Sequence, residues 1–394
     1  MDGGTGPPPL MVFADDWGRH PSSCQHLIRQ LLGRYEVYWV NTIGMRTPRF
    51  DLASLSRGFQ KIHSWVCAGK GKEAAPEGLH VVNPRMWPWF RSSLDRRLNR
   101  WLLSRSLVRA IKDMPVLPMV VTTLPIVADL IGILPVRRWV YYCVDDFSQW
   151  PGLDPAPLEE LEDRLIEEAD VLFAVSETLR EKLARKGRAA HLLTHGVDLA
   201  FWASPTGEPI SIPPLDGLER PLVVFWGLVD RRMDVSFVKR LAADLERGTI
   251  VLVGPECNPD PVLFAIPRVV HLPPLPYEWL PLLAREAEVL IMPYANLPVT
   301  RAMQPLKLKE YLATNRPTVA RDLPAVRPWS DCLDLAASPE IFSEKVRQRI
   351  VEGLPEHQRQ ARSRLAQESW GEKARVFERW AFAAEAAPDA VCCS

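Results

Sequence analysis

The segment QPLKLKEYLATNRPTVA (304–320) sets a proline, a lysine and a glutamate within a turn and a half of a predicted helix. Pro305 suits the first helical position, where its missing N–H costs nothing. The N–H groups of that turn and the positive end of the helix dipole favour an anion, and Lys307 adds a full charge. Glu310 follows Pro305 by five residues, about 7.5 Å along the axis at 1.5 Å per residue. That is close to the separation between a pyrophosphate and the ribose hydroxyls of one nucleotide, and a carboxylate accepts from vicinal hydroxyls. One short helix could then hold phosphate at its tip and sugar on its side. The alternative is a surface helix in which Lys307 and Glu310 form an i,i+3 pair.

Other residue pairs sit where strands should end. YYCVDDFSQW puts Asp145 and Asp146 just beyond an apolar run. Either could contact an acceptor hydroxyl or act as a base; the plainer reading is a turn or N-cap aspartate. In THGVD, His195 could reach a ligand, while Gly196 and Asp198 look like turn and cap residues. The seven cysteines are scattered without the paired spacing of a zinc site or a disulfide framework, which fits a reducing compartment. We expect no metal and no cofactor.

The elements that must position these groups recur along the chain. Apolar, β-branched runs read as strands at 10–15, 37–42, 79–83, 119–123, 139–144, 170–176 and 191–195. A second series follows at 222–227, 249–254, 268–272, 288–294 and 317–320. Nearly continuous apolar runs suit parallel strands covered on both faces by helices. Between the series lies ASPTGEPISIPPLDGLERP (203–221), rich in proline and without periodicity, a linker signature. The expected fold class is therefore α/β, with two tandem Rossmann-like doubly wound parallel-sheet domains, 1–202 and 222–394. Ligands of such sheets bind beyond the carboxyl ends of the strands, which makes the cleft between the domains the expected site. Apolar positions at Trp370, Ala374, Phe377 and Ala381 predict a closing helix within 366–390, packed on its own domain or crossing back to the first.

The order of these motifs resembles that of the GT-B glycosyltransferases of family 4, the "group 1" family. The resemblance rests on PLKLKEYLA with its following proline-led strand and RDLPAV, on ADVLFAVSETLREKLARKG followed by THGVD, on VVFWG, IVLVGP and EVLIMPY, and on SWGEKARVFER. It covers about three quarters of the chain, most strongly 140–322. It implies transfer of a sugar from a nucleotide-diphosphate donor to an acceptor hydroxyl in polysaccharide or glycolipid synthesis, with retention at the anomeric carbon and the departing phosphate helping to deprotonate the acceptor. Glu310 would bind the donor ribose, and the backbone at Pro305, Leu306 and Lys307 would meet the diphosphate. Gly227 would let the backbone approach that diphosphate, with Arg231 and Arg232 as the nearest cations; a solvated basic loop is the alternative for the pair. The catalytic candidates are then Arg231, Arg232, Lys307 and Asp146.

Two departures stand out. The acidic residue that the family places eight positions before the ribose-binding one is Ala302 here, which opens donor-sugar specificity and the survival of activity. The glycine-rich turn after the first strand is replaced by DDWGRHPSS (15–23), with a single Gly18. Arg19 and His20 could meet the acceptor or the diphosphate from that side, with Asp145 and His195 as the other acceptor-side candidates. A GT-B-fold scaffold that has lost catalysis, and less readily a sugar-nucleotide epimerase, are the alternative functions.

Overall charge is balanced, with 48 basic and 48 acidic residues, so no global field favours nucleic acid. Locally, NPRMWPWFRSSLDRRLNRWLLSRSLVRAIK (83–112) carries seven arginines and one lysine against Asp95, with tryptophans interleaved. A stripe of Leu94, Leu98, Trp101 and Leu102 suits a helix on an anionic membrane; an ordinary domain helix with that stripe in the core is the alternative. The start of the chain has neither a basic nor an apolar leader region, and the apolar 116–136 holds three prolines and Asp129, so it reads as strand, turn and short helix. The expected location is cytoplasmic, peripheral on the inner face of the plasma membrane. The expected partners are a nucleotide sugar and a carbohydrate or lipid-linked acceptor.

Overall fold

A computed structural model of the chain describes residues 6–18, 22–42, 44–45, 76–150, 152–203 and 212–383. Arg19 and His20, residues 204–211 of the expected linker and 384–390 of the expected closing segment lie outside this set. The chain divides into two compact units, residues 1–194 with 371–394, and residues 195–370.

The first unit is built on a seven-stranded parallel sheet of β1 (Leu10–Ala14), β2 (Val37–Asn41), β3 (Leu79–Val82), β4 (Met119–Thr122), β5 (Arg138–Cys143), β6 (Val171–Ala174) and β7 (His191–Leu192). Its spatial order is β3-β2-β1-β4-β5-β6-β7. Every residue of β1 and β4 is buried, as expected of central strands covered on both faces. The segment 116–136 resolves into β4, a turn and the 3-10 helix Pro125–Leu130.

The second unit repeats the plan with β8 (Leu222–Trp226), β10 (Thr249–Val253), β12 (Val269–Leu272), β13 (Val289–Met292), β14 (Thr318–Arg321) and β15 (Asp334–Ala336), in the order β12-β10-β8-β13-β14-β15 and all parallel. A separate two-residue parallel pair joins β9 (Val229–Asp230) to β11 (Glu256–Cys257). The strand order reverses between β1 and β4 in one sheet and between β8 and β13 in the other, and such switch points are where doubly wound sheets bind ligands.

One limit differs from the sequence reading, and of the two paths open to the final helix the chain takes the one back to the first unit. Residues 195–202 belong to the second unit, because Trp202 stacks on Trp226 with ring centres 5.6 Å apart and Phe201 stacks on Tyr277 at 4.7 Å. The final helix, Trp370–Ala381, leads into the first unit from Gly371 onward. Phe377 packs against Phe173, Trp380 stacks on His191, and Arg138 donates to the carbonyls of Ala381 and Ala383.

Candidate functional site

The helix of the opening motif spans Leu306–Ala313, with Pro305 one residue earlier than expected, at the N-cap. No side chain caps its first turn among the described residues. Uncapped N–H groups at a helix start carry partial positive charge and await an acceptor. The helix ends where Asn315 takes a left-handed conformation (φ 57°), which asparagine tolerates better than most residues, and Pro317 then leads into β14.

Lys307 does not pair with Glu310. Its Nζ donates to the Tyr294 hydroxyl at 2.6 Å and lies 4.4 Å from the Phe225 ring centre. It also occupies the space where Gly227 lacks a side chain: a Cβ there would stand 2.2 Å from Nζ. Gly227 directly follows β8 and Tyr294 lies two residues beyond β13, so the ammonium sits at the carboxyl ends of the two strands that flank the switch point. The register Trp226↔Val253 sets Gly254 beside Gly227, and a Cβ on Gly254 would meet the Gly227 carbonyl oxygen at 2.1 Å. Both glycines have positive φ, so conformation and space each exclude a side chain.

Glu310 is buried against aromatic residues rather than displayed on a surface. Its Oε1 accepts from the Tyr277 hydroxyl at 3.3 Å. Trp226 packs edge-on to Tyr311 at 4.2 Å, and the Trp226 backbone N–H donates to the Tyr311 hydroxyl at 3.0 Å. Burial pushes the Glu310 carboxyl up to about 7, against the smaller pull of the Trp226 indole, the Lys307 charge and the Tyr277 hydroxyl. Burial and the adjacent Glu310 likewise hold the Tyr277 phenol far above its ordinary range, so it acts as a donor. A buried carboxylate is costly even with these partners, and further hydroxyl donors from a ligand would favour its charged form.

The two arginines of the adjoining loop separate. Arg231 is exposed. Arg232 is buried, and its Nε donates to both carboxylate oxygens of Asp230 at 3.0 Å, while its N–H groups also reach Met303 Sδ at 3.9 Å. Its charge is neutralised inside the protein by Asp230, so of the two candidates Arg231 alone keeps a solvated setting. Ala302 is buried at the end of the short helix Pro298–Ala302.

His195 falls in the second unit, whereas the sequence reading counted it within the first domain, 1–202. It is buried, and its carbonyl accepts from Lys309 Nζ, which also pairs with Glu368. In the first unit, Asp145 and Asp146 are half-buried past the end of β5. Asp146 Oδ1 accepts from Ser148 Oγ at 2.8 Å and from Lys182 Nζ at 2.9 Å, and Lys182 pairs with buried Glu162 at 2.6 Å. Glu162 in turn accepts from the Tyr141 hydroxyl at 2.9 Å. Asp146 is thus part of an ion network, an environment closer to the turn reading than to a poised base.

Sequence reasoning missed Tyr277, Tyr294, Trp226 and Gly254. Three of them carried a signal, since Trp226, Gly254 and Tyr294 end or follow the strand runs that the reading had already placed. Tyr277, within LPPLPYEWL, had none.

No protein-family model matches the chain. A curated relative, "Putative teichuronic acid biosynthesis glycosyltransferase TuaH" of Bacillus subtilis (strain 168), is 27% identical over 176 residues, 43% of this chain and 44% of that protein. The match therefore spans less than half the length of this relative. Among solved structures, sucrose-phosphate synthase of Thermosynechococcus elongatus superposes with a TM-score of 0.69 at 14% identity, covering 95% of this chain and 98% of that one. Anabaena HepE in complex with UDP and glucose gives 0.65 at 13%, over 94% and 98%. A UDP-forming trehalose-phosphate synthase of Burkholderia xenovorans gives 0.66 at 12%, over 96% and 100%. The fold is that of the GT-B glycosyltransferases, two Rossmann-like units each on its own parallel sheet.

Proposed function

We propose that the protein is a glycosyltransferase that moves a sugar from a nucleotide-diphosphate donor to an acceptor hydroxyl in polysaccharide or glycolipid synthesis. The observation that carries this reading is the pairing, on one short helix, of an uncapped start flanked by the Lys307 ammonium with a buried Glu310 carboxyl held by the Tyr277 hydroxyl and the Trp226 indole. The diphosphate binds the N–H groups of residues 306 and 307 and the ammonium, close to the backbone at Gly227. The ribose hydroxyls donate to Glu310. As the bond to the sugar breaks, negative charge grows on the departing phosphate, and the helix start, Lys307 and Arg231 stabilise it without reorganisation. The structure of HepE with UDP and glucose and the name given to TuaH support the donor class. Retention, and deprotonation of the acceptor by the departing phosphate, rest on the resemblance to family 4.

The test is thermal stabilisation by UDP, GDP, dTDP and ADP in the native protein and in Glu310→Ala. A ligand at about 100 times its dissociation constant adds about 2.7 kcal/mol. Stabilisation by one nucleotide that largely vanishes in the variant is the expected result; none with any nucleotide would overturn the donor site. The residue at 302 favours one second reading, a GT-B scaffold without catalysis, since an alanine cannot hold a donor sugar by charge. Slow donor hydrolysis in the absence of acceptor would exclude that scaffold.

A further inference from the structure

The helix Ser93–Lys112 buries one face and displays the other. Asn99, Leu103, Leu107 and Ile111, four residues apart, are buried. The opposite face runs through Leu94, Leu98, Trp101, Arg105, Arg109 and Lys112, spaced by three or four, and all six are exposed. Leu94 and Trp101 show 71% and 57% of their surface to solvent. The stripe that the sequence offered for either the core or a membrane is thus the outer one, apart from half-buried Leu102, and a second leucine row fills the core.

Charge flanks the apolar half. Arg97 and Arg100 are exposed and make no ion pair among the described residues, and the Arg105 guanidinium lies over the Trp101 ring at 5.8 Å. Arg96 differs: Asp129 and Glu160 hold it, so it belongs to the fold and not to the outer face. The preceding loop adds Trp87, itself exposed. Its indole N–H donates to Asp95 at 2.8 Å and its backbone N–H to buried Asn99 at 2.7 Å, which fixes the ring beside the start of the helix.

We propose that this face docks on an anionic lipid bilayer. Leucine and tryptophan on a convex helix surface suit the boundary between headgroups and acyl chains, where they leave water. Arginines on long stems keep their charge in the layer of anionic headgroups while their methylenes follow the apolar residues inward. Trp87 and Trp101 have the amphipathic ring that favours this depth. An acidic protein surface would match the arginines and leave Leu94 and Leu98 without a partner. No helix among the described residues is long and apolar enough to cross a membrane, so attachment would be at the surface. The inference is independent of the proposed activity.

The test uses the full chain and two vesicle compositions, phosphatidylcholine alone and phosphatidylcholine with phosphatidylglycerol. Co-sedimentation should be strong only with the anionic vesicles and should weaken as salt is raised. Charge reversal in Arg97→Glu, Arg100→Glu, Arg109→Glu together should lower the partition coefficient about 100-fold. The set Leu94→Ser, Leu98→Ser, Trp101→Ser should lower it about tenfold or more. Trp101→Ser alone, the mildest change, serves as a control for folding, and all variants should keep the native melting temperature because every altered side chain is exposed. The proposal is overturned if the native protein ignores anionic vesicles or if neither set changes binding. It is equally overturned if the apolar set converts a dimer to a monomer without affecting vesicle binding, since the face would then join two copies of the chain.

Discussion

Glu310 shows how one side chain can couple acidity, stability and binding. Its pKa is raised from 4.5 to about 7 because burial penalises the charged form. A carboxyl with a raised folded-state pKa binds a proton more tightly folded than unfolded. Its contribution is therefore fully present below pH 4.5 and is lost as the pH rises to about 7, a swing of up to about 3 kcal/mol. Glu310→Gln, which removes the charge and keeps the shape, should raise the melting temperature at about pH 8 and leave it nearly unchanged at about pH 4.5. Equal shifts at both values would mean that Glu310 is not protonated in the fold. Ribose hydroxyls need an acceptor, so nucleotide binding should also weaken as the pH drops below about 7, and isothermal titration across that range would show it. The sequence made Glu310 conspicuous by its distance from Pro305 but gave no hint of its surroundings. The surroundings include Tyr277 and Trp226, which come from two stretches of the chain far from the helix. Arg232 was unreadable for a related reason: a basic pair in a loop looks solvated until Asp230 is seen to claim one member.

At the scale of elements, the sheets were plain in the sequence and the faces of helices were not. Strands buried on both sides must be apolar throughout, so the five-residue runs at β1, β8 and β10 announce themselves. Strands β9 and β11 have two residues each and β15 has three, too short for any period to show. The helix Ser93–Lys112 carries leucines at helical spacing on both sides, and periodicity alone cannot say which row is inside. The ends of β8 and β10 give an element-level prediction. In Gly254→Ala the new Cβ meets a backbone carbonyl that cannot move aside, while in Gly227→Ala it meets the mobile end of Lys307. Both substitutions should cost about 1–3 kcal/mol in chemical denaturation for the backbone conformation alone, and the first should cost more than the second because of its added clash. Gly227→Ala should nevertheless lose nucleotide binding, because the ammonium is displaced. A smaller cost for Gly254→Ala than for Gly227→Ala would count against this close approach of the two strand ends.

For the molecule as a whole, the division into two sheets was legible from the two series of apolar runs, but the path of the chain between them was not. The sequence suggested consecutive domains with a proline-rich joint, and left open whether the closing helix stays on its own domain or crosses back. In the structure, residues 195–370 form a unit that interrupts another, and the chain completes the first unit only after residue 370. The two ends of that interruption lie side by side: the Val197 N–H donates to the Glu368 carbonyl at 2.9 Å, and Gly196 lies so close to Trp370 that a Cβ would stand 2.7 Å from its ring. Lys309 ties the same two ends from below by bonding the His195 carbonyl and Glu368. A stretch whose ends meet can be lifted out as one cassette. Residues 195–370 expressed alone should give a cooperative thermal transition and bind the same nucleotide as the full chain; an unfolded product would show that the stretch relies on the remainder. The excision should be just as clean for what remains, since a short bridge from 194 to 371 replaces the whole insertion. In evolutionary terms, such a chain can exchange the whole of residues 195–370 through two cuts made at one spot, leaving the other unit untouched.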